Sequence, residues 1–379
     1  MKKVLKVIGI IILLLGVLIA VLFHFISKSP SVPKNYTDTV KTGGEIEAKY
    51  LAMGSYEVEH LESATVSSLE KFEVYYPKDI YNLGKVPVVI FLNGTGTPAS
   101  KYPALQEHLA SWGFITIANE ENNSFYGEGV ELSIRYLLFA DTYSSNDDES
   151  PLKGHIDFDN IGVTGHSQGG IGVINGITIH PHSDMIKAAV MLSSTETDMA
   201  KAFLWDSDSS LIHANTMMIG SSGQTDSAIS PLESMQKTYE NITDDVIKVL
   251  ARRNDCDHGE MLYYADGYVT AWFMYFLQGD EEAGKAFFGD NPEISANEFY
   301  QDIMINVTEW SAIIAYMTAF NWLEQDSPCI TKIHFHDFWW QATCRGFSSP
   351  NPLPFHSTHC HSQSSQAKEN RIVSSDPWS

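Results

Sequence analysis

The feature that most constrains the fold of this 379-residue chain is the stretch Ile161–Gly172. Within it, Gly165–Gly169 reads Gly-His-Ser-Gln-Gly and matches the pattern G-x-S-x-G. The residues before it read as a short buried strand, and Gly169–Ile177 is small and apolar, as expected of a helix that lies on a sheet. A strand, a tight turn and a helix in this order hold a serine in strained backbone, with its hydroxyl above the sheet edge. The glycines on either side let neighbouring backbone approach. The stretch therefore predicts an α/β architecture with Ser167 as a nucleophile.

The rest of the central region alternates between short apolar strands and segments with helical spacing. Strands that alternate with helices at this pitch form a mostly parallel sheet that is covered on both faces. We therefore predict an α/β fold with a mostly parallel central sheet and helices on both of its faces. Besides the strand before Ser167, the predicted strands are Phe72–Pro77, Val86–Leu92, Gly113–Ala118, Ala188–Leu192, Thr216–Ile219 and, as the last strand, Val246–Ala251. The predicted helices are Tyr102–Trp112, Val130–Ala140, Gly169–Ile177 and Gly267–Leu277.

The charge balance excludes one large class of partner. The chain carries 24 Lys and Arg residues against 47 Asp and Glu residues, which gives a formal net charge of −23. Nucleic-acid binding requires basic patches, so we expect no nucleic-acid partner. The same charge repels an anionic lipid surface, and any attachment to a membrane must therefore come from a hydrophobic segment.

Such a segment stands at the N-terminus. Val7–Phe23 is unbroken apolar sequence, and Lys2, Lys3 and Lys6 precede it. About twenty residues at about 1.5 Å each span a hydrocarbon core, and the positive-inside rule places the N-terminus in the cytoplasm. We predict a single-pass signal-anchor over residues 1–28, a tether over 29–47 and a catalytic domain over 48–305 outside the cytoplasm. The alternative is a cleaved signal peptide and a secreted protein.

The C-terminal part, residues 306–379, has a different character. Helical spacing of apolar residues predicts a terminal amphipathic helix, but no secondary-structure period continues after Gln325. Five of the 14 histidines and three of the four cysteines fall in this last part, which raises the alternative of a zinc site. The cysteines and histidines are not paired at zinc-finger spacings, so we expect a poorly ordered extension without metal. The spaced apolar residues are Ile303, Val307, Trp310, Ile314 and Met317.

A nucleophilic serine needs a histidine that takes its proton and an acid that orients the histidine. Where G-x-S-x-G supplies the serine, the acid and then the histidine follow it along the chain. Asp226 is the best acid, because it comes shortly after the apolar run that ends at Gly220, at the carboxyl end of a predicted strand. Asp198 is its main competitor, whereas Asp206 and Asp208 read as solvated loop acids.

The best base is His258, which lies just past the Val246–Ala251 strand. The other candidate histidines are excluded by their positions in the sequence. Two follow the helix after Ser167 too closely to return over the serine, and one comes before the acid. The fourth, His166, lies inside the turn, with its side chain expected to point away from the serine hydroxyl. The first three are His180, His182 and His213.

Acyl transfer also needs two backbone N–H groups that stabilise the developing oxyanion. One is expected from Gln168, the residue after the nucleophile. The second is expected from the glycine-containing turn Asn93–Gly96, which follows the Val86–Leu92 strand, with Thr95 as the donor. This chemistry requires no metal or cofactor.

These motifs together resemble the α/β-hydrolase superfamily, and within it the lipase, cutinase and polyester-hydrolase-type esterases. The resemblance covers Tyr50–Gly289 and includes the helix end Ala110–Phe114, which reads Ala-Ser-Trp-Gly-Phe. It implies a substrate-wall tryptophan, for which Trp205 stands at a matching place, although Trp205 could equally be packed beneath its loop. Two departures weigh against polymer hydrolysis: the stretch before Trp205 is long, and Cys256 lacks the partner of the terminal disulfide that is usual in polyester hydrolases.

The sequence as a whole predicts a membrane-anchored serine esterase that acts on a small-molecule or lipid-like ester. Ser167 would form an acyl-enzyme, and Asp226 and His258 would complete the triad. Two alternatives stay open at this point. One is a peptidase, amidase or acyltransferase on the same fold, because the triad serves acyl transfer in general. The other is a non-catalytic surface binding module.

Overall fold

A computed structural model describes residues 31–65, 68–142 and 150–306. Its core is a nine-stranded sheet in the order β1-β2-β4-β3-β5-β6-β7-β8-β9. The neighbours from β4 to β8 pair in parallel, while β1, β2 and β9 pair antiparallel at the two edges. The predicted mostly parallel sheet is thereby confirmed. The strands are β1 Val58–Ala64, β2 Lys71–Pro77, β3 Val86–Leu92, β4 Ile115–Asn119, β5 Ile156–His166, β6 Ile186–Leu192, β7 Asn215–Ser221, β8 Lys248–Arg253 and β9 Tyr300–Asn306.

Helices cover both faces of this sheet, as predicted. Residues alternate along β3, so that Val89 and Phe91 pack into one core while Val88 and Ile90 pack into the other. Every residue of β3 is buried, which explains its continuous apolar sequence. The α-helices are Tyr36–Thr39, Glu45–Leu51, Pro103–Ser111, Glu128–Thr142, Gln168–Gly176, Thr197–Ala202, Asp226–Ile229, Leu232–Asn241, Met261–Tyr264, Asp266–Gln278, Glu281–Gly284 and Glu293–Ala296.

The segment expected to be a tether, residues 29–47, is folded onto the domain from residue 32 onward. Val32, Tyr36 and Val40 are buried in the same core as the helix Asp266–Gln278. The Tyr36 hydroxyl donates a hydrogen bond to the buried Asp266 carboxylate. Glu47 is also buried and accepts a hydrogen bond from Arg253 at 2.8 Å. The folded domain therefore begins before residue 48, because Tyr36 and Glu47 are bonded to Asp266 and Arg253, which lie more than 200 residues further along the chain.

The expectation that β8 is the last strand is wrong. β9, Tyr300–Asn306, follows it and pairs with it antiparallel at the edge of the sheet. Ile303, which was read as the start of an amphipathic helix, lies in β9. The other apolar residues of that predicted helix lie outside the described residues, as does the rest of the C-terminal extension.

The predicted signal-anchor over residues 1–28 also lies outside the described residues. Within residues 31–65, 68–142 and 150–306, the structure contains no helix that is both long enough and apolar enough to cross a bilayer.

Candidate active site

Ser167 stands at the carboxyl end of β5, at the point where the chain turns into the helix Gln168–Gly176. Its backbone has φ 58° and ψ −118°, a conformation that non-glycine residues rarely adopt. The neighbouring glycines make the turn possible. A Cβ on Gly165 would lie 2.3 Å from the carbonyl oxygen of Gly169, and a Cβ on Gly169 would lie 2.4 Å from that of Leu92. The strand, strained turn and helix expected from the sequence are thus all present.

His258 lies in the loop after β8, and its ring reaches both Ser167 and Asp226. Its Nε2 is 3.0 Å from Ser167 Oγ, and its Nδ1 is 2.6 Å from Asp226 Oδ1. A carboxylate can only accept a hydrogen bond, so Nδ1 carries the proton and donates it. Nε2 is then left as the acceptor of the Ser167 hydroxyl, which is the arrangement that a general base requires.

Asp226 follows β7 and is fully buried. Besides the bond to His258, its Oδ2 accepts hydrogen bonds from Ser193 Oγ at 2.5 Å and from the Ser221 backbone N–H at 2.8 Å. Burial acts to raise the pKa of Asp226, but the hydrogen bonds from His258, Ser193 and Ser221 outweigh it and hold the pKa below the usual value. Asp226 is therefore ionised at neutral pH, in the form that stabilises an imidazolium.

The turn after β3 lies directly beside Ser167. A Cβ on Gly94 would lie 3.6 Å from Ser167 Cβ and 3.0 Å from His166 Nδ1. The Gln168 side chain links the turn after β3 to the start of the helix Gln168–Gly176, because its Nε2 donates to Thr95 Oγ1 at 3.3 Å. Its Oε1 accepts from the Ser124 N–H at 3.0 Å. Thr95 is thus bonded to Gln168, the residue that follows Ser167. Their role as oxyanion donors stays a prediction.

His166 does more than occupy a turn position. Its Nε2 is 2.7 Å from the carbonyl oxygen of His258, and the two imidazole rings lie 4.7 Å apart. Burial and the neighbouring His258 lower the pKa of His166 to about 4. The ring is therefore neutral at pH 7, with its proton on Nε2, since the carbonyl can only accept. His166, which precedes Ser167, thereby holds the backbone of His258 in place.

Two further groups were missed by sequence reasoning. Ser193 follows β6 and bonds to Asp226, and Asp257 precedes His258 and bonds to the Asp226 loop. Nothing in the sequence marks either residue, because a polar residue in a loop after a strand has no distinguishing pattern.

Trp205, the predicted substrate wall, packs among aromatic side chains. Its ring stacks on Phe125 at 5.0 Å and lies 5.0 Å from the ring of Phe203. The following residue, Asp206, is bound through its carbonyl oxygen by Asn175, near the far end of the helix that starts after Ser167. These contacts favour packing over substrate contact, and the binding role stays a prediction.

The competing acids and bases occupy other places in the fold. Asp198 lies in the first turn of Thr197–Ala202, and Asp208 caps the turn Ser209–Leu211. The rejected histidines bond elsewhere: His180 to the Tyr126 carbonyl, His182 to Glu131 and His213 to the Ser183 carbonyl.

One group in the described ranges has the donor types of a metal site, namely His60, Glu62 and Glu73 on β1 and β2. The Lys71 ammonium already pairs with Glu62 at 2.7 Å and with Glu73 at 2.5 Å. The Lys71 ammonium therefore supplies the positive charge that balances the two carboxylates. None of these residues contacts Ser167 within the described part of the chain.

Comparison with known proteins adds a family-level match. A family model described as PET hydrolase-like matches residues 38–304. The chain is 27% identical over 211 residues to cutinase est1 of Thermobifida alba and 27% identical over 216 residues to cutinase 2 of Thermobifida cellulosilytica. It is 25% identical over 211 residues to a bis(hydroxyethyl) terephthalate hydrolase of Streptomyces coelicolor. Each alignment covers 55% of this chain, and they span 65%, 73% and 62% of the three relatives in the same order.

Proposed function

This chain belongs to the PET hydrolase-like family of α/β-hydrolases, and on that premise we propose that it is a serine hydrolase of carboxylic esters. One geometric observation carries the proposal. A serine hydroxyl, an imidazole and a buried carboxylate form a continuous chain of hydrogen bonds, 3.0 Å and 2.6 Å long, at the carboxyl edge of a parallel sheet. The cutinase and terephthalate-ester hydrolase named above support the choice of esters as the substrate class.

The proposed reaction proceeds through an acyl-enzyme. Ser167 Oγ attacks the ester carbonyl while His258 Nε2 takes the hydroxyl proton, and His258 then gives this proton to the leaving alcohol. Asp226 holds the imidazole tautomer and stabilises the imidazolium. The backbone N–H groups of Thr95 and Gln168 stabilise the tetrahedral oxyanion. Water, activated by His258, releases the acid and regenerates the enzyme.

Matched series of esters and anilides test the ester proposal against its alternatives. The full chain is assayed with p-nitrophenyl acetate, butyrate and octanoate, with the matching p-nitroanilides and with bis(hydroxyethyl) terephthalate. We expect turnover of the esters, fastest with short acyl chains, and none of the anilides. Faster anilide cleavage would make the protein an amidase. An absence of turnover in folded protein would favour a binding module.

We further propose that the domain works outside the cytoplasm, either anchored through residues 1–28 or released after cleavage. The apolar run Val7–Phe23 after Lys2, Lys3 and Lys6 supports this location. Fractionation of cells that produce the protein, followed by protease treatment of intact cells, tests it. Protection of the domain from the added protease would contradict it.

A further inference from the structure

The Asp257 carboxylate joins the loop that carries Asp226 to the loop that carries His258. It accepts the Thr225 backbone N–H at 3.0 Å and 3.1 Å, the Thr225 hydroxyl at 2.7 Å and the Asp226 N–H at 3.2 Å. On its own loop it accepts the His258 N–H at 2.8 Å. The backbone N–H groups of Thr225, of the acid Asp226 and of the base His258 thus share a single carboxylate.

The local sequence makes room for this carboxylate. A Cβ on Gly223 would lie 2.5 Å from Asp257 Oδ1 and 2.8 Å from Asp257 Cα, so no side chain other than hydrogen fits there. On its other side, the Asp257 N–H donates to Glu260 Oε2 at 2.9 Å, which fixes the start of the loop that carries the base.

The hydrogen bonds also determine the charge of this group. The hydrogen bonds from Thr225, together with those from the His258 and Asp226 backbone, lower the pKa of Asp257 to about 2. The carboxylate is therefore negative at neutral pH. Bonds from N–H and O–H donors to an ionised acceptor are the stronger kind.

A link of this type is needed because the acid and the base belong to separate loops. Asp226 and His258 are 32 residues apart, and each follows its own strand, β7 or β8. The bond between Asp226 Oδ1 and His258 Nδ1, 2.6 Å long, tolerates little displacement of one loop against the other. Misplacement by about 1 Å can lower a rate about 100-fold.

We propose that Asp257 is a positioning residue that locks the Asp226 loop to the His258 loop and keeps the imidazole in register with Ser167. This proposal rests on the proposed function. The substitutions that test it form a graded series. Asp257→Ala removes every bond, Asp257→Asn keeps one oxygen acceptor without the charge, and Thr225→Val removes only the hydroxyl bond, which Thr225→Ser retains.

The assay is steady-state hydrolysis of p-nitrophenyl butyrate by the full chain, with active sites counted by fluorophosphonate labelling. We expect Asp257→Ala to lower kcat per labelled site by about 10- to 100-fold, with KM within about twofold of wild type. Thr225→Val should lose less, and Thr225→Ser should restore the rate. Asp208→Ala, which removes a carboxylate that caps an exposed turn away from the site, is the matched control and should leave kcat unchanged.

Partial rescue separates positioning from mere folding. Asp257→Asn keeps one oxygen acceptor for the backbone N–H groups of Thr225 and His258, so its kcat per labelled site should lie between those of wild type and Asp257→Ala. A merely structural role would lower the fraction of protein that takes the label and leave kcat per labelled site unchanged.

The proposed function and the proposed role of Asp257 would be contradicted by different results. If wild type takes no label at Ser167, the proposed function fails and this inference fails with it. If wild type is active and Asp257→Ala has the same kcat per labelled site, this inference alone is overturned. Should Asp257→Ala not fold, equal kcat per labelled site in Thr225→Val and Thr225→Ser would overturn it in the same way.

Discussion

Glu121 lies behind the turn that carries Thr95, and its burial has a measurable cost. Glu121 is only 7% exposed, and the hydrogen bond that its carboxyl accepts from the Asn119 side chain is 3.4 Å long. Burial raises the pKa of Glu121 from 4.5 to about 7. The backbone carbonyl of the same residue accepts the Asn93 side-chain N–H at 3.0 Å, so the Glu121 backbone is bonded to the start of the turn that carries Thr95.

The raised pKa predicts how Glu121→Gln changes the free energy of unfolding. A pKa that is higher in the folded than in the unfolded state stabilises the fold fully below pH 4.5, and this stabilisation is lost as the pH rises through 7. A shift of about 2.5 units at about 1.36 kcal/mol each amounts to about 3 kcal/mol. The amide of Glu121→Gln does not titrate, so the variant loses no free energy of unfolding from this position as the pH rises. Glu121→Gln should therefore lie within about 1 kcal/mol of wild type at pH 5 and be about 3 kcal/mol more stable than wild type at pH 8.5.

Urea unfolding of both proteins at the two pH values measures this difference. Every other titrating group is common to both chains and cancels when they are compared. A stability difference between Glu121→Gln and wild type that is the same at pH 5 and pH 8.5 would refute the reasoning.

Three further predictions concern packing around the site. Tyr36→Ala should cost about 3–5 kcal/mol of unfolding free energy in urea, whereas a change of within about 0.5 kcal/mol would restore the tether interpretation. Gly94→Ala should lower kcat by crowding His166 at 3.0 Å, and Gly259→Ala, whose Cβ meets nothing within 4 Å, should not; equal rates would contradict this contact. The lowered pKa of His166 implies that wild type loses about 3 kcal/mol as the pH falls from 6.5 to 4. His166→Gln should lose less over that range in urea unfolding, and an equal loss would show that His166 is not the cause.

The sequence indicated the centre of the fold well because the signal there is local. Val86–Leu92 was predicted to be a buried strand with the same bounds that the structure has. The turn around Ser167 was readable because glycines occur where backbone atoms approach within 2.4 Å. Asp226 and His258 could be chosen from their order and from their positions after strands, and the structure brings both to Ser167.

The edges of the fold could not be predicted from local sequence, because their structure depends on partners that are distant along the chain. Tyr36 is one aromatic residue in a polar stretch, and its burial depends on Asp266, 230 residues away. β9 is an edge strand with mixed exposure, and Ile303 within it also fits a helical spacing that continues past residue 306. Asp257 gave no signal because its meaning lies in the pairing of two loops, which residue type and order do not reveal.

The most direct test of the central claim is to find which residue of the full chain reacts with a fluorophosphonate. The labelled protein is digested with trypsin, and the peptide 154–187, which contains Ser167, is sequenced by tandem mass spectrometry. We predict one adduct, on Ser167, with labelling abolished by Ser167→Ala and slowed by His258→Ala, while both variants remain folded. A label on another residue, or an equal label in Ser167→Ala, would contradict the account.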